Sequence, residues 1–321
     1  MPNLQQITQR QRAQLLAADE ETLRRIADAY GVMYDRLRGE IEALTVAMEG
    51  MEEPTKANVK KLPQFKELER ESKKELDKFT AFTETTLEAA AIAAIVLGLA
   101  HSREFVKLAG VKGFVGLDAR AMKPLLEYLT KGSPLYQRLE LITTSTVDGV
   151  IETILDGVAL GYNPRKIASQ IQDSFGGGLT DALRHTRTVQ LYSYRDSARA
   201  NYMASGVVTG WIWYAELDGN QCEACTAEHG TFHELDEQQD SHFNCRCTQI
   251  PYIEGISDDV KTGEDWFNGL SETAQKEYLG DTKYNAYKEN KFQFGDMVKR
   301  TPNEVYGQMV GVKSLAELIG E

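Results

Sequence analysis

All four cysteines of the chain lie in the short segment 222–247, together with three of its five histidines. Cys222-Glu-Ala-Cys225 places two thiolates at the spacing of one edge of a zinc tetrahedron, and His242-x-x-Cys245 offers a second pair at the same spacing. Thiolates and imidazoles are soft ligands, so they favour Zn²⁺ over Mg²⁺ or Ca²⁺. The segment therefore predicts a zinc site. Its candidate ligands are Cys222, Cys225, His242, Cys245 and Cys247.

Five candidates exceed the four positions of a tetrahedral site, so the spacing leaves open which four bind the metal. A filled tetrahedron has no position for a substrate, which predicts a structural zinc and no catalytic residue. A pair of disulfides is one alternative, but it needs an oxidising compartment. A redox-active Cys-x-x-Cys would need a surrounding βαβ pattern. Four free structural thiols are the remaining alternative.

The residues around the cysteines predict a small sheet that the metal holds together. Segment 210–216 is rich in aromatic and β-branched residues and predicts a strand. A short second strand is predicted at 230–232 and a third strand at 247–253. So few strands bury too little apolar area to be stable alone, so metal binding would contribute folding free energy. Eight acids and no Lys or Arg lie between Arg199 and Arg246. This excess of negative charge favours protein contacts over DNA binding.

The overall composition is that of a globular protein. The 321 residues include 36 Lys plus Arg and 48 Asp plus Glu, for a net charge of -12, which argues against a surface that binds nucleic acid throughout. The first residues lack the apolar core of a secretory signal. The most apolar run, 89–100, is shorter than the roughly 20 residues that span a bilayer. We therefore expect a buried core helix there and no membrane contact.

The N-terminal half is predicted to be helical. Apolar residues recur at helical spacing from Leu23 to Leu44, after an acidic run that begins at Asp19, and predict a helix from Asp19 to Gly50. We expect a second helix, over 68–82, to fold back and cover this apolar seam. The alternative is that the seam is a docking site for another protein. Further helices are predicted at 118–131, 134–159 and 164–174.

The glycine run 176–178 lacks the Lys-Ser/Thr pair of a phosphate-binding loop and predicts a flexible connector. The helix predicted after it, 179–203, carries Arg184, Arg187 and Arg195 on roughly one face. This arginine stripe is the best candidate in the chain for contact with an anionic partner. We expect DNA binding to be weak or absent, and any that occurs to come from the stripe.

These elements together predict a mainly α fold, with a helical N-terminal half followed by a small α+β zinc-stapled module with a short β-sheet. The predicted domains are a helical region at 1–175, the Cys/His module at 176–255 and a C-terminal α-helical tail at 256–321. Aromatic residues of the tail, such as Trp266 and Tyr278, are interpreted as packing anchors.

The segment from about 179 to 255 resembles the Mu F-like domain of phage minor head proteins, the head morphogenesis family. That pattern runs from an Arg-Thr pair on a helix through a Gly-Val pair and a tryptophan strand to a closing His-x-x-Cys-Arg-Cys. The matching residues are Arg187-Thr188, Gly206-Val207, Trp211, Trp213, Asp218, Cys222, Cys225, His229-Gly230, His242, Cys245, Arg246 and Cys247. Two positions depart from it, since Val189 stands at a frequent acid and Phe243 at a frequent proline.

The resemblance implies a non-enzymatic virion protein, made in the host cytoplasm and built into the capsid interior near the portal vertex. The partners it implies are the portal protein, the scaffold and the major capsid protein. The implied role is to assist procapsid assembly and to influence DNA packaging or delivery.

Three other functions are compatible with the residues. A zinc-supported nuclease of the His-Asn-His type would draw on His229, His233 and Asn244, but it requires a strand-turn-helix with a second His. An effector carrying the same domain would need an enzymatic tail, for which the residues after Gly255 are few. A host zinc-ribbon adaptor is the third alternative.

Overall fold

The computed structural model describes residues 4–52, 54–122, 133–257 and 260–320. The contacts divide the chain into two compact units, each with its own core. The helical unit comprises Asp19–Ala90 and Tyr128–Val189, and the sheet unit comprises Met1–Ala18, Ala91–Glu127 and Gln190–Glu321. The predicted fold class is confirmed, because long helices dominate the N-terminal half and a small sheet follows them.

Five helices of the described residues precede the sheet. They are α1 (Leu4–Glu49), α2 (Lys56–Val59), α3 (Pro63–Leu108), α4 (Pro134–Ala159) and α5 (Pro164–Ser205), with a 3₁₀ turn at Ala119–Met122. The helix predicted at 134–159 is confirmed with both ends correct. Of the helix predicted at 118–131, only the 3₁₀ turn is seen, and the rest lies outside the described residues.

The predicted start of the first helix at Asp19 was wrong, since α1 begins at Leu4. Asp19 lies within the helix and does not cap it. Its carboxylate is buried and accepts a hydrogen bond from Arg187 Nε at 2.7 Å. The acidic run resembled a helix start, but helix-forming residues such as Leu, Gln, Arg and Ala continue upstream without a breaker.

The apolar seam of α1 is covered within the helical unit, as predicted. Ile26, Met33 and Leu37 lie in one buried cluster with Leu68 and Phe79 of α3 and with side chains of α4 and α5. Two positions differ from the prediction: Leu23 of the seam is only half-buried, and Phe82, at the end of the predicted 68–82 helix, is exposed. Among the described residues, α1, α3, α4 and α5 form this core together with Val59 of the short α2, where the sequence predicted a two-helix hairpin.

The predicted connector at 176–178 was also wrong, because α5 is continuous from Pro164 to Ser205. A Cβ at Gly178 would lie 2.3 Å from Thr146 Oγ1 of α4, so Gly178 permits the close approach of the two helices. Gly176 and Gly177 have no neighbour within 4 Å of such a Cβ. Tertiary packing therefore overrides the low helix propensity of three glycines, and the boundary predicted at 175/176 lies inside a helix.

The sheet unit contains a three-stranded antiparallel sheet in the order β2-β1-β3. Its strands are β1 (Gly210–Tyr214), β2 (Phe232–Glu234) and β3 (Thr248–Tyr252), and α6 (Glu223–Glu228) lies between β1 and β2. All three strands were predicted, although β2 begins two residues later than expected. The central strand β1 is buried along its whole length, which explains its aromatic and β-branched composition.

The C-terminal region has more strand than its sequence predicted. Its elements are α7 (Gly263–Asn268), α8 (Glu272–Leu279), α9 (Asp281–Lys288), a 3₁₀ turn (Phe294–Met297), β4 (Val298–Asn303), β5 (Gly307–Val312) and α10 (Leu315–Ile319). The interpretation as an α-helical tail omitted the β4–β5 hairpin. The aromatic residues interpreted as packing anchors do pack together, because Phe267 is buried and Trp266 and Tyr278 are partly buried against the same cluster.

Helix α3 contains an 18-residue window with a mean hydropathy of 1.5, which by length and composition alone suffices to cross a membrane. Half of that window is buried inside the protein. Ala91, Ala94 and Ile95 are buried, whereas Ile92 and Val96 are exposed. The apolar run therefore supplies core side chains on one face of α3, and the absence of membrane contact remains a prediction.

Candidate metal centre

The candidate ligands come from two segments that the sheet places side by side. In the antiparallel pairing of β1 with β3, Tyr214 lies opposite Thr248. The chain therefore leaves β1 toward α6 at the same end of the sheet at which the loop 242–247 enters β3. This register brings the Cys-x-x-Cys pair next to the His-x-x-Cys-Arg-Cys loop.

Each segment has a local structure that aims its sulfur atoms inward. Cys222 caps α6, and its Sγ accepts a hydrogen bond from the backbone N–H of Cys225 at 3.3 Å. In the second segment Asn244 has a φ of 62°, a left-handed conformation that Asn tolerates better than most residues. This turn directs His242 and Cys245 to the same side of the loop, toward the Cys222–Cys225 pair.

The five candidate ligands form two groups that share one residue. His242 Nε2 lies 3.4 Å from Cys222 Sγ and 3.1 Å from Cys225 Sγ. Within each group the ligand atoms all lie within 4.8 Å of one another, and the groups are Cys222/Cys225/His242 and Cys225/Cys245/Cys247. All four cysteines are free thiols. Cys225 belongs to both groups and is the centre of the cluster.

The electrostatics of the cluster favour a bound cation. Hydrogen bonding from Cys225 outweighs burial and lowers the pKa of Cys222 to about 4. Burial alone would lower the pKa of His242, but its hydrogen bonds to Cys222 and Cys245 raise it to about 11. The pKa of Cys225 is raised well above its usual value by hydrogen bonding with Cys222, Cys245 and Cys247. Hydrogen bonding from Cys225 and Cys247 lowers the pKa of Cys245, so the thiolate forms of Cys222 and Cys245 are favoured in the same enclosed cluster, and its soft donor set fits Zn²⁺.

Arg195 is a buried part of the site, although the sequence suggested an exposed arginine stripe. Its side chain is 1% exposed. Its guanidinium donates to the carbonyl oxygen of Cys247, from Nε at 3.0 Å, and to Cys245 Sγ at 3.2 Å. The remaining nitrogen donates to Ser241 Oγ at 3.1 Å. Arg195 therefore fixes the loop that carries two candidate ligands and supplies positive charge next to their sulfur atoms.

The proposed arginine stripe does not form one cationic surface. Arg187 is paired with the buried Asp19, and Arg184 lies 3.7 Å from Asp181. Arg199 donates to the Leu235 carbonyl at 2.8 Å. Helical spacing placed Arg184, Arg187 and Arg195 on roughly one face, but it could not show that Arg195 is buried and that Arg187 is ion-paired.

Arg12 is a second site residue that the sequence did not indicate. Its Nε donates to the carbonyl oxygen of Arg246 at 2.9 Å, and its guanidinium forms an ion pair with Glu216. Arg12 comes from α1, far away in sequence from the cysteines, so no local pattern could have identified it. The first helix of the chain thus helps to hold the ligand loop.

The site is enclosed as a structural metal centre should be. Cys225, Cys245 and Cys247 are buried, and Trp213 packs in the same cluster. The adjoining cavity, lined in part by Cys222, His242 and Asn244, has a volume of about 50 Å³. Pockets that bind organic ligands are about 300–1,000 Å³, so this one is too small for a substrate.

The three residues considered for a nuclease each have a place in the local fold. Burial lowers the pKa of His229 to about 4, and its Nδ1 accepts the backbone N–H of Ala215 at 3.0 Å. His233 stacks on Trp211, with ring centroids 4.2 Å apart. Asn244 forms the turn of the ligand loop. Each residue therefore has a structural role, and the two histidines lie on the β2 side of the sheet.

Comparison with known families supports the resemblance noted in the sequence. Residues 148–250 match the family model described as Phage Mu protein F like protein. The chain carries a Mu F-like domain. No similar curated protein and no similar solved structure was found. The Mu F-like domain begins within α4 and extends through α5, the sheet and the complete Cys/His cluster to β3.

The structure explains the two departures from the Mu F-like pattern. Val189, at a frequent acid position, is fully buried on α5, where an unpaired carboxylate would be costly. Phe243, at a frequent proline position, is 40% exposed and packs edge-on against Tyr306, with ring centroids 5.4 Å apart. Neither change affects a candidate ligand of the Mu F-like domain.

Proposed function

We propose that this protein is a structural component of a tailed-phage head, in which zinc stabilises the Mu F-like domain. The match of residues 148–250 to the Mu F-like family carries the proposal and indicates a role in phage head morphogenesis in general. The enclosed cluster supports a structural zinc ion. Cys225 would hold it together with three of Cys222, His242, Cys245 and Cys247. The ion would supply cross-linking free energy to a small sheet.

In the finer form of the proposal, the protein is made in the host cytoplasm and joins the procapsid near the portal vertex. The portal protein is its principal partner, with contacts to the scaffold and major capsid protein. The acidic module supports protein contacts over DNA contacts, because its charge repels phosphate. Burial of Arg195 and pairing of Arg187 further reduce the cationic surface available to DNA. An effect on DNA packaging or delivery would therefore be indirect.

Co-expression with the portal protein, scaffold and major capsid protein tests this function. We expect the full-length protein to co-purify with the portal and to be found inside purified capsids at low copy number. Loss of the protein should reduce the yield of filled heads. A protein that is absent from capsids and does not associate with the portal would contradict the proposal.

A phosphodiesterase assay with Mg²⁺, Mn²⁺ or Zn²⁺ separates the structural function from the nuclease alternative. We expect no hydrolysis above that of a His233→Gln control. Metal-dependent cleavage that the His233→Gln substitution abolishes would instead establish an enzyme.

A further inference from the structure

An open groove of about 870 Å³ lies beside the metal centre in the sheet unit. One wall is the segment from Leu217 to Glu223, which leads from β1 into the Cys-x-x-Cys helix. Side chains of α7 and α8, including Trp266 and Tyr278, form the floor, and Val312 also lines the groove. The groove is distinct from the ligand cluster, although Cys222 lies on its edge.

The floor of the groove is apolar and held in place. Trp266 packs edge-on against Tyr278, with ring centroids 5.5 Å apart at 81°. The Tyr278 hydroxyl donates to the Gln221 carbonyl oxygen at 3.1 Å and lies 2.6 Å from Thr226 Oγ1. These bonds connect the floor to the residues on either side of Cys222. The floor is therefore a preformed surface, which lowers the entropy lost when a ligand binds.

The charged side chains that line the groove are all acidic. Its acidic lining side chains are Asp218, Glu223 and Glu277, and no Lys, Arg or His is among the lining residues. Glu223 is paired with Lys283. Asp218 and Glu277 are exposed and have no ion-pair partner among the residues that the structure describes. The groove thus has an aromatic floor and two exposed carboxylates at its rim. Of these, Asp218 accepts a hydrogen bond from the Asn220 backbone N–H and interacts electrostatically with Arg246.

We propose that this groove docks an extended peptide segment of another protein, with an apolar side chain against Trp266 and flanking Lys or Arg side chains beside Asp218 and Glu277. The apolar floor supplies a buried anchor of the kind that dominates binding energy in protein interfaces. The carboxylates supply charge complementarity, which selects a basic partner and excludes the phosphates of nucleic acid. The inference deepens the proposed function and rests on it in taking the partner to be a protein.

Fluorescence anisotropy on the full-length, zinc-loaded protein tests the proposal. The probes are labelled synthetic peptides in which one Phe or Leu is flanked by lysines at varied spacings. Matched control peptides replace the lysines with glutamates or the apolar residue with serine. We expect at least one basic-apolar peptide to bind and both control series to bind at least about tenfold more weakly. Binding should also weaken as salt is raised.

Substitutions in the protein locate the binding. Trp266→Ala and Glu277→Lys should each weaken the peptide at least about tenfold, and Trp266→Phe should retain most of the affinity. Glu277 is exposed, so its substitution is not expected to impair folding. Glu304→Lys makes the same charge change at an exposed position outside the groove and should leave binding unchanged.

Three results would overturn the inference: no binding by any basic-apolar peptide, preferential binding of the glutamate peptides, or binding that Trp266→Ala and Glu277→Lys leave unchanged. Metal content and association with the portal are measured on the same variants. A protein that binds zinc and enters capsids but fails the peptide assay refutes only the groove. A protein that binds the peptide through Trp266 but never enters capsids refutes only the head function.

Discussion

At the scale of single residues, Arg195 is the least expected feature of the Mu F-like domain. A buried guanidinium is costly unless its charge and its donors are satisfied. Here the Cys245 sulfur and the Cys247 carbonyl oxygen accept its hydrogen bonds. A zinc ion held by three or four thiolates carries excess negative charge, which Arg195 would offset. Arg195 is therefore a positioning residue for the metal site.

Replacing Arg195 with Met keeps the side-chain volume but removes the charge and the hydrogen bonds. We expect Arg195→Met to weaken zinc binding by about 10–100-fold, the usual effect of losing an outer-shell partner. Arg195→Lys should restore little of the zinc affinity, because the point charge of an ammonium group cannot reproduce the hydrogen bonds of a planar guanidinium. Competition with a chromophoric chelator measures the affinity. Arg184→Met, at an exposed position on the same helix, is the control and should match the natural protein.

The position of Cys225 in both ligand groups predicts an unequal effect of cysteine substitutions. We expect one zinc equivalent per chain and its complete loss in Cys225→Ser. Cys222→Ser or Cys247→Ser leaves the other group of three intact, so residual metal binding should persist. Metal analysis after purification without added zinc gives the stoichiometry.

Removal of zinc by a chelator should lower the melting temperature, because metal binding is coupled to folding. A folded, metal-free protein with four titratable thiols would contradict the prediction.

His233 predicts a pH dependence of stability. Burial alone lowers its pKa, but Glu228 at 3.6 Å and Glu237 at 2.8 Å outweigh burial and raise the pKa above 6.5. A raised pKa stabilises the folded state fully below the unfolded value near 6.5, and this contribution is lost as the pH rises through the folded value. Urea midpoints of the natural protein and His233→Gln should therefore differ most at mildly acidic pH and converge at alkaline pH. A pH-independent difference would show that the imidazolium is not involved.

At the scale of elements, glycines within helices have opposite roles at different positions. Gly176 and Gly177 lie on an exposed face of α5 and make no close approach to other residues. Gly98 of α3 lies against α5 within the sheet unit, where an added Cβ would be 2.4 Å from the Tyr194 carbonyl oxygen and 2.2 Å from Ser197 Oγ. Sequence alone assigns all three the same low helix propensity.

Alanine substitutions distinguish these two roles. We expect Gly176→Ala and Gly177→Ala each to stabilise the protein by about 0.5–1 kcal/mol, because alanine costs less backbone entropy in a helix. Gly98→Ala should destabilise it by about 1–3 kcal/mol, since the two helices must move apart. Chemical denaturation of the three variants measures the change in the free energy of unfolding. If Gly176→Ala and Gly177→Ala were destabilising, α5 would not be a continuous helix.

At the scale of the whole molecule, each unit buries its own core. The core of the helical unit includes Leu37 and Ile41 of α1 together with residues of α3, α4 and α5. The sheet unit buries Ile212 and Ile250 in one cluster and the cysteines in another. A substitution that disrupts the helical core should therefore reduce the helical content, while the cluster of candidate ligands can stay folded.

Introducing charged side chains into the helical core tests whether that core is needed for folding. We expect Leu37→Asp with Ile41→Asp to unfold the helical unit, because two buried carboxylates would be left unpaired. Far-ultraviolet circular dichroism should lose helical signal, and limited proteolysis should cut within α1. The matched control is Val32→Asp with Val46→Asp on the same helix, where both valines are more than half exposed. Equal stability of the two double variants would refute the internal role of the seam.

Features encoded by neighbouring residues could be predicted from the sequence. The clustering of the cysteines with His242, the strand composition of β1 and the periodicity of α1 each depend on spacings of a few residues. These patterns predicted the fold class, the three-stranded sheet, the ends of α4 and the five candidate ligands. They required no knowledge of distant contacts, because alternation and helical repeat directly determine which side chains share a face.

The tertiary structure decided what depends on partners far away in sequence. It placed Arg195 against the ligand loop, paired Asp19 with Arg187 and kept the glycine run helical beside α4. In each case the residue type suggested a different local role, as an exposed charge, a helix start or a connector. Burial and long-range hydrogen bonds contribute more free energy than those local preferences, which amount to about 1 kcal/mol or less per residue. The sequence therefore determined most of the elements and the candidate ligands, while long-range packing determined which charges are buried, where α1 begins and that α5 continues through the glycine run.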